Sequence, residues 1–319
     1  MSKRRTIKSD TGRGLSGSWS FVVIVFGIVS GSVLGWTIGM VARADALDTD
    51  IGTAVAVIPA RQTSADIPAW RRYAANAPAG GAVEIAIVID DLGMNRANDP
   101  RAVALSGPVT VALLPYGHRL NALSRQARAG GNEVLLHVPM EPESRTANPG
   151  PHALLVGLSP AELSRRLAWN LARVSGYVGI SNHMGSLFTS REQDMALVLH
   201  EVARRGLLYL DSRTTRRTLG ARLARRYGVP NAERNVFIDN IRSAPEIRRQ
   251  LARLERRARK IGFAVGIGHP HTVTLAVLED WLAGARARGI TPVPISRIAL
   301  HNWRASHPVI TATTAIAGY

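Results

Sequence analysis

Between residues 84 and 295, eight short apolar runs alternate with amphipathic segments, and this alternation restricts the fold more tightly than any other feature of the chain. The runs are EIAIVI (84–89), VTVALL (109–114), EVLLHV (133–138), YVGIS (177–181), LLYL (207–210), NVFID (235–239), FAVGIG (263–268) and TPVPI (291–295). Strands that are apolar at nearly every position do not suit a sheet with one wet face. They predict a parallel sheet covered by helices on both sides. The intervening segments carry helix-start signals. Ser159-Pro160-Ala161-Glu162 is a capping box with proline at the first helical position, and Ser243-Ala244-Pro245-Glu246 repeats that logic. Ser190 and Gln193 are expected to open a helix that stops at Gly206. Seven or eight such units point to a (β/α) barrel, regular or incomplete, with an open doubly wound sheet as the alternative.

Ahead of this region Lys3, Arg4, Arg5, Lys8 and Arg13 precede an uncharged stretch from Leu15 to Ala42, whose core FVVIVFGIVSGSVLGWTIGMV is long enough to cross a bilayer. The sequence therefore predicts a basic cytoplasmic segment over 1–18, a transmembrane or signal-anchor helix over 19–42, and a flexible linker over 43–82. The barrel domain is expected over 83–300 and a loose C-terminal tail over 301–319. With positive charge on the inner side, the domain is expected to face the periplasm from a bacterial inner membrane. The rival is a signal peptide cleaved near Ala42-Arg43-Ala44, which would release the domain into the periplasm. The chain has no cysteine, which excludes disulfides and thiolate metal ligands and suits either location.

Forty Lys and Arg against 23 Asp and Glu give a formal net charge of +17, a balance that can serve nucleic acid, anionic lipid or an acidic polymer. Much of the excess lies in helix-like segments such as RRQLARLERRARK (248–260), with few aromatics between the arginines. That pattern reads as a solvated helical face and not as a base-stacking surface, so nucleic acid is not expected as a partner.

In either α/β architecture, chemistry collects at the C-terminal ends of the parallel strands. The first run ends on Asp90 and Asp91, the third carries His137, and the fourth leads into Ser181-Asn182-His183. The fifth ends at Asp211, the sixth at Asp239, and the seventh at His269-Pro270-His271. Singly, an aspartate after a strand caps the next helix and a strand histidine is a core residue. Together they suggest a mononuclear site for zinc or another borderline divalent ion, with Asp91, His137 and His183 as ligands from three strands. Asp90 would take a proton from the attacking water, and His269 or His271 would donate one to the leaving group. Such a constellation suits metal-assisted hydrolysis of an amide or ester.

The motifs IVIDDLGMN, EVLLHVPMEP, GISNHMGSLFT, LYLDSRTT and GIGHPH, in this order, resemble the divergent polysaccharide deacetylase family from about Glu84 to Ile298. The resemblance implies a distorted (β/α) barrel that hydrolyses N- or O-acetyl groups on a polysaccharide or cell-wall glycan. It implies Asp90 as base, Asp91 and His137 as metal ligands, His269 as acid, and Asp211 as the aspartate that orients catalytic groups. The family's second histidine normally lies four residues after the first, where this chain has Glu141, and His183 is the candidate replacement. The alternative is an inactive barrel that binds glycan or an envelope partner.

Overall fold

The computed structural model describes residues 67–78, 81 and 83–307. In chain order its elements are α1 (Ala69–Arg72), β1 (Glu84–Leu92), α2 (Asp99–Val103), β2 (Thr110–Leu113), α3 (Leu120–Ala129) and β3 (Glu133–Met140). They continue with α4 (Pro160–Leu171), β4 (Gly179–Met184), α5 (Glu192–Arg204), β5 (Leu208–Asp211), α6 (Gly220–Arg226) and β6 (Asn231–Glu233). The last are β7 (Val236–Phe237), α7 (Ala244–Ile261), β8 (Phe263–Gly268), α8 (Thr272–Ala285), β9 (Thr291–Pro292) and α9 (Ile295–Ser306). The strands run in the order β6-β5-β4-β3-β2-β1-β8-β7, with β9 beside the start of β1. Every ladder is parallel. No ladder joins β6 to β7 among the described residues, so the sheet forms a curled barrel that stays open at one seam.

Alternation along each strand sorts the side chains into two cores. Ile85, Ile87, Ile89, Val134, Leu136 and Tyr209 pack outward with the helices. Ala86, Val88, Leu135, Leu208, Leu210, Val265 and Ile267 pack inward on one another. The floor of this inner core is closed by Ile295, Ile298 and Ala299 of α9 and by Trp70 of α1. Two carboxylates at the strand starts fasten it. Glu84 accepts from Arg297 Nε at 3.0 Å, and buried Glu133 accepts from the Ser296 hydroxyl, Ser296 N (3.0 Å) and Ala75 N (3.0 Å).

Several boundaries differ from expectation. Among the described residues the sheet holds nine strands, one more than the apolar runs, since β6 is short and its sequence, NAE, carries no such run. The expected linker is ordered from residue 67, where Trp70 is buried and its backbone N–H donates to Gly206 O at 2.9 Å. One large apolar side chain in an Ala- and Pro-rich stretch is enough to dock it. The expected tail begins inside α9, which continues through residues 301–306 and donates from Asn302 Nδ2 to Asn231 O at 3.0 Å. Ser159 caps α4 by accepting from Glu162 N at 3.2 Å, whereas Ser243 makes no such bond before α7. Ser190 lies in a 3₁₀ turn and donates back to Leu187 O at 2.6 Å, so α5 starts at Glu192 without a side-chain cap. The expected transmembrane segment 19–42 lies outside the described residues. Among the described residues no helix is long and apolar enough to cross a membrane.

Candidate metal centre

Asp90 shares the inward parity of Ala86 and Val88, so its carboxylate rises from the barrel interior at the rim and is 2% exposed. By the same parity Asp91 should point outward. Its backbone instead takes the left-handed conformation (φ 61°), at an irregularity in the β1–β2 ladder between Ile89 and Leu92. That costs strain for a side chain with a Cβ, and it turns the second carboxylate back over the rim. Gly93 (φ 103°) completes the turn so close to Gly117 that a Cβ on Gly117 would lie 2.8 Å from Gly93 Cα. Asp99 Oδ2 accepts from Gly93 N (3.0 Å) and Asn95 N (3.1 Å), holding the loop beyond it.

Two imidazoles meet this pair. His137 follows Leu135 inward on β3, and its Nε2 lies 3.3 Å from Asp91 Oδ1 and 3.5 Å from Asp90 Oδ2. Its Nδ1 lies 2.7 Å from Ser181 Oγ on the neighbouring strand, both groups being buried. His183 arrives from β4 with Nδ1 2.8 Å from Asp91 Oδ1. The strand end below it is tied down by Asn182, which accepts from Tyr209 OH (3.1 Å) and Ser212 N (2.9 Å) and donates to Met184 O (2.8 Å). One ligand atom from each of Asp91, His137 and His183 lies within 4.8 Å of the others. Asp91 Oδ1 is buried and has no hydrogen-bond partner of good geometry, and neither has Asp90 Oδ1. An orphaned carboxylate oxygen facing two imidazole nitrogens is a donor set that fits a divalent cation.

The electrostatics follow from burial and proximity. Burial opposes charge on Asp91, but the imidazoles of His137 and His183 close beside it outweigh that and hold its carboxyl well below the usual carboxylate range. For Asp90 burial wins over the nearby imidazoles, and its carboxyl is raised. Burial disfavours charge on His137, yet Asp90 and Asp91 raise it overall. His269, directly after β8 and with the inward parity of Val265 and Ile267, is likewise opposed by burial. Asp239, Asp90 and Asp91 carry it up to about 9.

His269 Nε2 lies 3.9 Å from Asp91 Oδ2, and its other face is held by Asp239 at the end of β7. Asp239 Oδ1 lies 3.0 Å from His269 Nδ1, while Oδ2 accepts from His269 N (2.7 Å) and Thr274 Oγ1 (3.0 Å). Asp239, His269 and His271 form a second cluster of ligand type. Both Asp239 oxygens are already engaged there, so it orients His269.

Asp211, expected to orient catalytic groups, makes no hydrogen bond to Asp90, Asp91, His137, His183 or His269 among the described residues. It follows Tyr209 on the outward face of β5, and accepts from Arg213 N (2.8 Å), Thr218 Oγ1 (2.8 Å) and Ala221 N (3.2 Å). Its carboxylate shapes the start of α6. Glu141 is also committed elsewhere, accepting from Val156 N at 2.6 Å in the loop after β3. Ser181 and Arg234 were not among the expected site residues. The Arg234 guanidinium lies 3.7 Å over the Phe237 ring, which stacks on His269 at 6.2 Å. It donates to Ser212 O and Arg213 O, both at 2.6 Å. Burial and Arg213 bring its pKa down to about 10 against the pull of Asp211 and Asp90. It follows β6 directly, with the parity of inward-facing Ala232, but that strand is invisible in the sequence. The rim opens into a cleft of about 780 Å³ lined by Asp91, His269, Asn95, Arg96, Arg242 and His271, among others. That size suits a small ligand.

Residues 87–299 match the family model described as divergent polysaccharide deacetylase. An uncharacterised protein of Haemophilus influenzae is 32% identical over 224 residues, 69% of this chain and 77% of that protein. The uncharacterised protein YibQ of Escherichia coli is 36% identical over 197 residues, 62% of this chain and 61% of its own length. The crystal structure of an uncharacterised protein from Agrobacterium tumefaciens superposes with a TM-score of 0.71 at 29% identity. The match covers 74% of this chain and 97% of that one.

Proposed function

The chain belongs to the divergent polysaccharide deacetylase family, and from that premise we propose that it is a metal-dependent hydrolase removing acetyl groups from a cell-envelope or exported glycan. The observation that carries this reading is the orphaned Asp91 Oδ1 facing His137 and His183, with a buried Asp90 and an Asp239-held His269 around the same cleft. One carboxylate and two imidazoles favour zinc among the common divalent ions. Bound by Asp91, His137 and His183, it would polarise the acetyl carbonyl and lower the pKa of water.

The residues of the chain supply the rest. Asp90, fixed inside the barrel rim, accepts the proton of the attacking water as its oxygen bonds to the acetyl carbon. Ser181 fixes the ring of His137, and Asp239 fixes that of His269 with Nε2 toward the cleft. His269 Nε2 delivers a proton to the sugar nitrogen or oxygen as its bond to the acetyl carbon breaks, giving acetate and the free amine or hydroxyl. The basic segment and apolar stretch before residue 43 support tethering to a bacterial inner membrane, with the domain on the periplasmic side.

Acetate release from a panel of N- and O-acetylated glycans by the zinc-loaded full-length chain tests the proposal. Turnover is expected for wild type and a loss of at least about 100-fold for Asp90→Asn, the scale of general acid–base catalysis. Stoichiometric zinc without turnover on any glycan would replace the hydrolase with a glycan-binding barrel.

A further inference from the structure

The cleft beside the metal centre has a charge pattern that the hydrolytic residues do not use. Its two carboxylates are both engaged at the centre: Asp91 faces His137 and His183, and Asp239 holds His269. Its remaining wall carries Arg96 from the loop after β1 and Arg242 from the loop after β7, both exposed, together with His118 and His271. Arginines on the helices are commonly neutralised, as in Arg165–Glu162 and Arg204–Glu201 at 2.7 Å. Neither Arg96 nor Arg242 has an ion pair or hydrogen bond among the described residues. Burial, with the Arg242 charge nearby, lowers the pKa of His271 and keeps its ring neutral, so the positive charge of this wall comes from the two guanidinium groups. Met94, 53% exposed, adds an apolar edge to this wall.

Keeping unpaired guanidinium groups of one sign around a concave site raises the local potential and attracts anions. A guanidinium fork matches a carboxylate bidentately. We infer that this cleft binds an anionic glycan, with a carboxylate borne by the acetylated sugar or its neighbour received by Arg96 and Arg242 and the sugar face laid on Met94. The inference deepens the hydrolase reading and rests on it for the kind of ligand.

Three probes test it with the full-length chain: chitotetraose (neutral), the disaccharide of N-acetylglucosamine and N-acetylmuramic acid (lactyl carboxylate), and O-acetylated oligomannuronate (ring carboxylate). Binding is measured by calorimetry on chelator-treated protein, and acetate release on the zinc-loaded protein. At least one anionic probe is expected to bind about tenfold or more tightly than chitotetraose, and the one that does identifies where the carboxylate sits. Its advantage should collapse toward unity between 50 and 500 mM salt. The double variant R96Q/R242Q should abolish the preference, whereas R165Q, on the outer face of α4, should leave it intact. Selective binding without turnover would uphold the inference and sink the hydrolase. Equal binding and turnover of neutral and anionic probes, or a preference that survives R96Q/R242Q, would overturn the inference and leave the hydrolase standing. No binding of any probe would overturn it as well.

Discussion

Replacing Ser181 by alanine probes the metal centre through a residue that is not itself one of the proposed ligands. Ser181 is fully buried, and its Oγ lies 2.7 Å from His137 Nδ1. For Nε2 to offer a lone pair to a cation, the neutral ring must carry its proton on Nδ1, and Ser181 is the group that accepts it. Alanine leaves that N–H buried without a partner, which costs about 1–3 kcal/mol. At about 1.4 kcal/mol per tenfold, the metal dissociation constant should rise between about 5- and 150-fold, in line with the effect of comparable hydrogen bonds behind metal ligands. In the metal-free protein the proton can move to Nε2, which faces Asp91 at 3.3 Å and Asp90 at 3.5 Å, so most of the cost is felt only on binding. Zinc competition titrations against a chelator, on wild type and Ser181→Ala, measure the change, and thermal melts of the metal-free proteins measure the folding cost. A folded variant with zinc affinity within twofold of wild type would show that His137 does not bind through Nε2.

Three further outcomes follow from the same geometry. Glu133 is fully buried, and burial outweighs its hydrogen bonds from Ser296 and Ala75 to lift its pKa from 4.5 to about 7. Its contribution is therefore fully present below about pH 4.5 and is lost as pH rises through 7, a change of about 3 kcal/mol. The stability difference between wild type and Glu133→Gln, read from denaturant melts, should shift by that amount between pH 4.5 and 8. A difference that does not change with pH would contradict it. Gly117→Ala drives a Cβ into the backbone of Gly93, which completes the turn of Asp91. Overpacking of this kind costs about 1–3 kcal/mol. A lower melting temperature together with weaker zinc binding is expected, and unchanged binding would detach that contact from the site. Asp211→Asn removes acceptors for Thr218 and Ala221, so the melting temperature should fall by a few degrees, at about 2–4 °C per kcal/mol. Bound zinc should stay equimolar, and its loss would show that Asp211 supports the metal centre.

What was legible in the sequence depended on whether a signal was long enough to carry a period. The apolar runs gave β1, β3, β4 and β8, and with them the rim on which Asp90, His137, His183 and His269 meet. Strand alternation sends Asp211 outward with Tyr209, to the start of α6, whereas its place in the motif order suggested a role in orienting catalytic groups. Asp91 is the reverse case: alternation would send it outward, and only a left-handed backbone at a ladder irregularity brings it in. No residue type at that position announces this. The three-residue β6, and Arg234 beyond it, had too little pattern to read. The docking of Trp70 depends on contacts far along the chain, which local composition does not show.

In the proposed enzyme one cation sits between the ends of β1, β3 and β4. Anomalous diffraction at the zinc edge from crystals of the zinc-loaded protein tests it directly. A single strong peak is expected within about 2.0–2.2 Å of an Asp91 oxygen, His137 Nε2 and His183 Nδ1. A peak among Asp239, His269 and His271, or none at the rim, would contradict it.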